Sequence, residues 1–372
     1  MTKTTVKLRD IAREDRRTVL PKSKEASSRP FLGLEQIESQ TGRILSYQTT
    51  SEEGISNSFA FDQSHVLYGK LRPYLNKVAV PDRPGRCSTE IIPLQPCGVS
   101  RELLALLLRT RRVVSSGMQE KTGSRMPRAN MAFVLDTEFS LPSSDHEREQ
   151  IAREMNLLLA EISAARTAIG KQVQEVSSLT SSVIFDSLKA GKTTSFLLGD
   201  VLDEIKVGIG ATWKDYRVLG ATRDGLALAK EPPGKQPERY KPVKLGTVFY
   251  NPMRILIGSI AFVDYDDEPG ITSPDYVVLK GKPGMVDSRW FYFWLKSPLG
   301  EQCINSLARG AVRERMLFNR LAEGEVEVPD FTVQEKASKA LAEIKPIRTA
   351  IKKQIQELEL IHEKLLADFF ES

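Results

Sequence analysis

The chain has 372 residues, 41% of them hydrophobic and 27% charged, with a formal net charge of +5; that balance describes a soluble globular protein rather than a disordered one. Its longest apolar runs, such as ILIGSIAFV (255–263), fall far short of the ~20 residues of a membrane span, and MTKTTVKLRDIARED lacks the apolar stretch of a secretory signal. Cys87, Cys97 and Cys303 show neither metal spacing nor an even framework, which predicts a reducing, cytoplasmic setting. The small positive excess permits a nucleic-acid partner without requiring one.

In chain order, the first informative stretch is VLYGKLRPYLNKVAV (66–80). Its alternation predicts one half-buried strand. One face carries Tyr68, Lys70, Arg72, Tyr74 and Asn76, the other Leu67, Gly69, Leu71, Pro73 and Leu75. Arg and Asn read guanine and adenine edges bidentately, and Tyr stacks or bonds phosphate. For any one of the five residues an ordinary solvated strand face explains as much; together they favour a nucleic-acid surface. A short helix follows (RELLALLLRT, 101–110), and after it a basic loop, RTRRVVSSGMQEKTGSRMPRAN (109–130). Gly, Ser, Arg and Asn in a loop suit phosphate contact and base-edge hydrogen bonds. A solvated charged loop is the competing reading.

From Ile151 the apolar residues run Ile151, Met155, Leu158, Ile162, Ala165, Ile169, Val173, Val176, Leu179 and Val183, with a slip near Gly170. Alternating steps of four and three are the seam of a coiled coil. A second seam runs Val333, Ala337, Ala340, Ile344, Ile347, Ile351, Ile355, Leu358, Ile361 and Leu365. About 38 residues at ~1.5 Å each make a rod of roughly 57 Å, longer than a domain of ~140 residues is wide. Each stripe is therefore expected to pair with the other, antiparallel, rather than with its own domain. Pro346 should kink or interrupt the second helix.

Several stretches imitate chemistry. AGKTT (190–194) lacks the earlier glycine of a P-loop and follows a helix. NPMR (251–254) lacks the second proline and the aromatic of the amino-methyltransferase motif, and HEREQ (146–150) is not HExxH. DYDDEPG (264–270) reads as a turn, and His65, His146 and His362 lie far apart. Nothing in the sequence looks catalytic.

The chain is also an internal repeat. RTAIGKQVQE (166–175) recurs as RTAIKKQIQE (348–357), 182 residues later, and at the same offset VLYGKLRPYLNKVAV lies over VFYNPMRILIGSIAF (248–262). CSTEIIPLQP (87–96) resembles ITSPDYVVLKG (271–281), RELLALLLRT corresponds to SRWFYFWLKSP (288–298), and VKLRDIARE (6–14) lies over FLLGDVLDE (196–204). The stretch 115–142 has its counterpart in 303–329, with a second basic loop, LARGAVRERMLFNR (307–320). Residues 18–60 and 207–245 share almost nothing. A duplicated scaffold with unlike inserts points to two sites of one kind that read different things.

In LYGKLRPYLNKVAV followed by CSTEIIPLQP, in the junction LPSSDHEREQIAREMNLLLAEI, and in the repetition of that plan, the chain resembles the specificity subunits of type I restriction-modification enzymes over essentially its whole length. The resemblance implies an α+β fold: target-recognition domains over 1–145 and 191–330, long spacer helices over 146–190 and 331–372, the helices pairing as an antiparallel coiled coil. It implies that each domain reads one half of a bipartite, asymmetric target in double-stranded DNA. The helices would fix the gap and dock two modification (methyltransferase) subunits, with restriction-translocase subunits joining. S-adenosylmethionine and ATP would belong to those partners, leaving this chain without a cofactor or metal and without catalysis. The expected DNA contacts are Tyr68, Lys70, Arg72, Tyr74, Asn76, Lys77, Ser124, Arg125, Arg128 and Asn130 in the first domain. In the second they are Tyr250, Asn251, Arg254, Arg309, Arg313 and Arg315. The alternative is a coiled-coil adaptor that binds proteins and not DNA.

Overall fold

A computed structural model describes residues 2–48, 56–119, 126–308 and 315–370. They fall into two units, Met1–Ile169 with Lys353–Ser372, and Gly170–Lys352. Each unit is built on the same plan.

In the first unit β1 (Lys3–Lys7) pairs antiparallel with β10 (Glu138–Pro142), so the ends of the globular part close on one another. The central sheet has the order β2 (Ala12–Glu14), β9 (Ile91–Pro96), β6 (Val66–Gly69), β7 (Val78–Ala79), all antiparallel. A second sheet runs β3 (Thr18–Val19), β5 (Ser58–Phe61), β8 (Gly85–Ser88), β4 (Phe31–Leu32). The helix Arg101–Leu108 starts where Ser100 Oγ accepts from the Leu103 amide at 3.3 Å. Its residues Leu103 to Leu108 are all buried, as a helix enclosed on every side requires.

The second unit repeats this strand by strand. β11 (Thr193–Leu197) pairs with β20 (Glu325–Pro329). The central sheet runs β12 (Leu202–Glu204), β19 (Val277–Gly281), β16 (Val248–Tyr250), β17 (Ile260–Phe262). The helix Ser288–Leu295 is capped by Asp287, whose Oδ1 accepts from the Trp290 amide at 2.8 Å. The halves part company in their inserts. Here β13 (Leu219–Thr222) and β14 (Gly225–Leu228) form a hairpin, and β15 (Lys241–Val243) pairs with β18 (Gly270–Thr272). No four-stranded second sheet forms among the described residues of this unit.

The long helices are Asp145–Lys189 and Phe331–Phe370. Each unit's core takes a piece of both. Ala152 and Met155 share the first core with Leu366 and Phe370; Ile184 shares the second with Ala337, Leu341 and Ile344. The buried stripe differs from the predicted seam. Leu158 and Leu179 are exposed (39% and 50%), while Thr180 and Ser187 are buried. An apolar scan cannot find those two, because their hydroxyls return to the Val176 and Ile184 carbonyls at 2.7 and 2.6 Å and so tolerate burial. On the second helix Leu341 and not Ala340 is buried, and Ile347 and Ile361 face outward. Nor does Pro346 interrupt the helix, which runs through it unbroken. Pro346 lies on an exposed face, where solvent can reach the carbonyl its missing N–H would have served.

The acidic turn 264–270 has a structural task. Asp264 forms a buried ion pair with Arg289, and Asp266 and Asp267 both bind Lys345 Nζ, the latter at 2.9 Å. Two positive side chains, one on the helix Ser288–Leu295 and one on the second long helix, are thereby fixed to one loop.

Candidate nucleic-acid interface

The predicted strand 66–80 is a strand, a turn and a strand. β6 ends at Gly69, Pro73–Leu75 form a 3-10 turn, and β7 begins at Val78. Proline cannot donate to a ladder, so pairing stops there. Arg72 (φ 53°) and Asn76 (φ 48°) adopt the left-handed conformation that brackets the turn, at a cost for residues with a Cβ. Anchors hold it. Asn76 Nδ2 donates to the Arg109 carbonyl at 2.7 Å, Gln40 Nε2 to the Tyr74 carbonyl at 3.2 Å, and Lys77 Nζ to the Leu34 carbonyl at 2.6 Å. Arg109 Nε and Nη2 both donate to the Val78 carbonyl, at 3.1 and 2.8 Å, and burial pushes this guanidinium down to about 10.

The predicted contacts therefore separate. Tyr68 is 4% exposed and Asn76 8%, so both belong to the interior; burial pushes the Tyr68 phenol well above its ordinary value. Lys77 is tied down at Leu34, and burial lowers its ammonium. Tyr74, 47% exposed, is the tip of the turn. Lys70 and Arg72 are half-buried at its base. Arg72 Nε is enclosed without a hydrogen bond.

After Gly69 the chain is held on both sides. Lys70 N donates to the Glu90 carbonyl (2.9 Å), Ala129 N to the Lys70 carbonyl (2.8 Å) and Arg72 N to the Pro127 carbonyl (2.7 Å). This places Arg128 over Glu90: Nη2 lies 2.8 Å from Oε1, Nε donates to the same oxygen at 2.9 Å, and Lys70 Nζ is 3.9 Å from Oε2. Asn130 caps the helix Met131–Leu135, its Oδ1 accepting from the Ala132 amide at 3.1 Å. Ser124 and Arg125 lie outside the described residues.

The second unit has the same frame with other side chains. Met316 N donates to the Pro252 carbonyl at 3.1 Å, and Arg315 Nη2 lies 2.9 Å from Asp275 Oδ1. Tyr250 is fully buried with its hydroxyl unpartnered, and burial raises it well above the ordinary phenol range. Asn251 Oδ1 accepts from the Met253 amide at 2.9 Å and so shapes the turn. Arg254 is exposed, and its side chain makes no hydrogen bond or ion pair with the described residues. Met253, Leu256 and Ile257 make this tip apolar (53%, 48% and 67% exposed), where the first unit presents Tyr74. Arg309 and Arg313 lie outside the described residues.

Sequence reasoning missed Glu90 and Asp275. The signal was present, a carboxylate just before the strand in both CSTEIIPLQP and ITSPDYVVLKG. It also found no partner for His65, which is buried with Nδ1 2.9 Å from Asp62 and Nε2 3.2 Å from Asp15. Among the described residues no group of three or more His, Cys, Asp or Glu could hold a metal ion, and no helix is long and apolar enough to cross a membrane.

The fold is that of the specificity subunits of type I restriction-modification systems. A chain from a structure of the assembly and conformational transition of a type I R-M system matches with a TM-score of 0.61 and 15% identity, over 98% of this chain and 96% of that one. The type I S subunit from M. genitalium matches with a TM-score of 0.54 and 14% identity, over 98% and 95%. In sequence, the specificity subunit of the type I restriction enzyme EcoDI from Escherichia coli is 24% identical over 166 residues, 44% of this chain and 37% of that protein. No protein-family model matches the chain. The chain thus resembles type I specificity subunits in fold along its whole length and in sequence along less than half of it.

Proposed function

We propose that the chain is the DNA-recognition subunit of a type I restriction-modification complex, each half reading one part of a split, asymmetric target. The observation that carries this is the duplicated sheet, β2-β9-β6-β7 against β12-β19-β16-β17, joined to inserts that share neither sequence nor strand plan. One scaffold is kept for docking on a duplex, and two inserts differ because the half-sites differ. The turns at Arg72–Asn76 and Asn251–Gly258, with Arg128 and Arg315 beside them, form the surfaces that meet DNA. Phosphate contacts supply affinity there and base-edge contacts the specificity.

The long helices are the spacer that fixes the gap between half-sites and the platform for two modification subunits. Exposed apolar side chains support the platform: Leu157, Leu360 and Ile361 in the first unit and Leu179 and Ile347 in the second. Catalysis, S-adenosylmethionine and ATP belong to the partner subunits, and the complex works in the cytoplasm. The test is co-expression with the products of neighbouring genes, followed by a map of methylated adenines in host DNA. Methylation at one split motif, lost when this chain is omitted, is the expected result. A stable complex without any methylated motif would leave a protein adaptor.

A further inference from the structure

Resting on that reading, we propose that Glu90 and Asp275 are positioning residues, each aiming one arginine, Arg128 or Arg315, at an acceptor pair on the DNA in its own half of the target. A carboxylate on a DNA-facing surface works against binding, since phosphates surround it. An isolated exposed ion pair also contributes little to folding. Yet the pair recurs at the matching place in both units, at 2.8 and 2.9 Å, with Glu exchanged for Asp. Both arginines remain about half exposed, at 44% and 50% of the side chain. Neither pair is closed off as an internal tie would be.

The geometry says what the carboxylate leaves available. Arginine has five N–H donors in a rigid fork. Glu90 takes the Nε and Nη2 edge of Arg128, so among the described residues the Nη1 edge is left untaken and its direction is set. A fork held along one edge presents the other with its rotamer already chosen, which lowers the ordering cost of binding. Paired acceptors that suit this edge are phosphate oxygens and guanine O6 with N7. The acids are therefore retained for orientation, against their unfavourable charge.

The test uses the complex of the chain with its methyltransferase subunits, binding duplexes that carry the methylated motif or single-base variants of it. Glu90→Gln removes the charge and keeps the size. The expected result is a fall of about tenfold in affinity for the duplex that carries the motif, traced to the first half-site, and Asp275→Asn does the same for the second. In Arg128→Ala the further change Glu90→Gln no longer weakens binding, because the arginine it oriented is gone and only the acid's repulsion of phosphates is lost. A base contact relaxes preference at one position; a phosphate contact lowers the salt slope by about one and leaves preference intact. If Glu90→Gln instead tightens binding to all duplexes, or adds in full to Arg128→Ala, the acid is only a surface charge and the proposal fails. A variant that fails to fold loses both half-sites together, and the half-specific effect of Asp275→Asn then decides. A wild-type complex that methylates no split motif overturns the DNA reading itself; a wild type with its motif beside unaffected variants overturns only the positioning role.

Discussion

Trp290 Nε1 donates to Ser187 Oγ across 2.9 Å, and the two residues are 0% and 4% exposed. One belongs to the helix Ser288–Leu295 and the other to the end of the first long helix, so this bond ties the globular part of the second unit to the helix that precedes it. Ser187 Oγ in turn donates to the Ile184 carbonyl at 2.6 Å, which leaves its lone pairs to accept.

Trp290→Ala should cost about 3–5 kcal/mol through lost burial and the cavity left behind. Ser187→Ala, which strands a buried indole N–H, should cost about 1–3 kcal/mol. Trp290→Phe with Ser187→Ala should cost less than Trp290→Phe and Ser187→Ala measured singly and added, since both polar partners leave together. Urea unfolding of the four proteins measures this, and full additivity would show that the bond carries no coupling.

The cluster of Tyr47, Asp82 and Arg83 predicts a stability limit on both sides of neutrality. Hydrogen bonds from Arg83 and Tyr47 hold the Asp82 carboxyl down at about 2. Burial, reinforced by Asp82, raises the Tyr47 phenol to about 12. The depressed acid contributes stability in full above its ordinary value of 3.8, lost as pH falls toward 2. The raised phenol contributes in full below 10, lost as pH rises toward 12. Asp82→Asn should flatten the acid limb of the first unit's stability profile and Tyr47→Phe the alkaline limb. Thermal melts across pH, followed by a probe in the first unit, separate the two.

Much of this molecule is legible in its sequence, and the misses share a cause. The repeat set out the two sheets because alternation and aligned segments survive duplication, as Tyr68 over Tyr250 shows. Which side of the sheet those tyrosines face was not legible. Period two marks two faces and not which is wet, and both rings are buried. The turn at Pro73 was missed because Leu71, Pro73 and Leu75 kept the alternation going where the backbone could not. On the helices Thr180 and Ser187 lie inside, and only the backbone bonds they make explain why. Glu90 and Asp275 were not legible as partners, because the arginines they hold lie 38 and 40 residues further along the chain.

Arg72 offers a case where stability and function should move in opposite directions. Its left-handed backbone costs about 1–2 kcal/mol, glycine adopts it freely, and glycine's extra freedom when unfolded takes back about 0.5–1. Because Arg72 Nε has no partner, Arg72→Gly removes no Nε bond. The variant should be more stable by about 0.5–1 kcal/mol, whereas Arg72→Ala, which keeps the strain, should not be. Both lose the same cation, so both should bind the first half-site more weakly, with a salt slope smaller by about one. Equal stability of the two variants would show that the turn is not strained at this residue.

Pro346 tests how much of the second long helix is held by packing rather than by its own backbone. Within its unit that helix is fixed by Leu341 and Ile344 in the core, by Lys345 on Asp266 and Asp267, and by Arg348 Nη2 on Thr180 Oγ1 at 2.8 Å. These contacts lie on both sides of the proline and keep the helix continuous through it. The cost is one missing hydrogen bond to the Ala342 carbonyl, on a face open to water. Pro346→Ala should restore that bond and stabilise the second unit by about 2–3 kcal/mol, raising its melting transition by roughly 5 °C. If packing already sets the helix direction, the gap in the methylated motif should stay the same in this variant. A motif whose gap changes by a base pair would mean that the proline sets the length of the spacer.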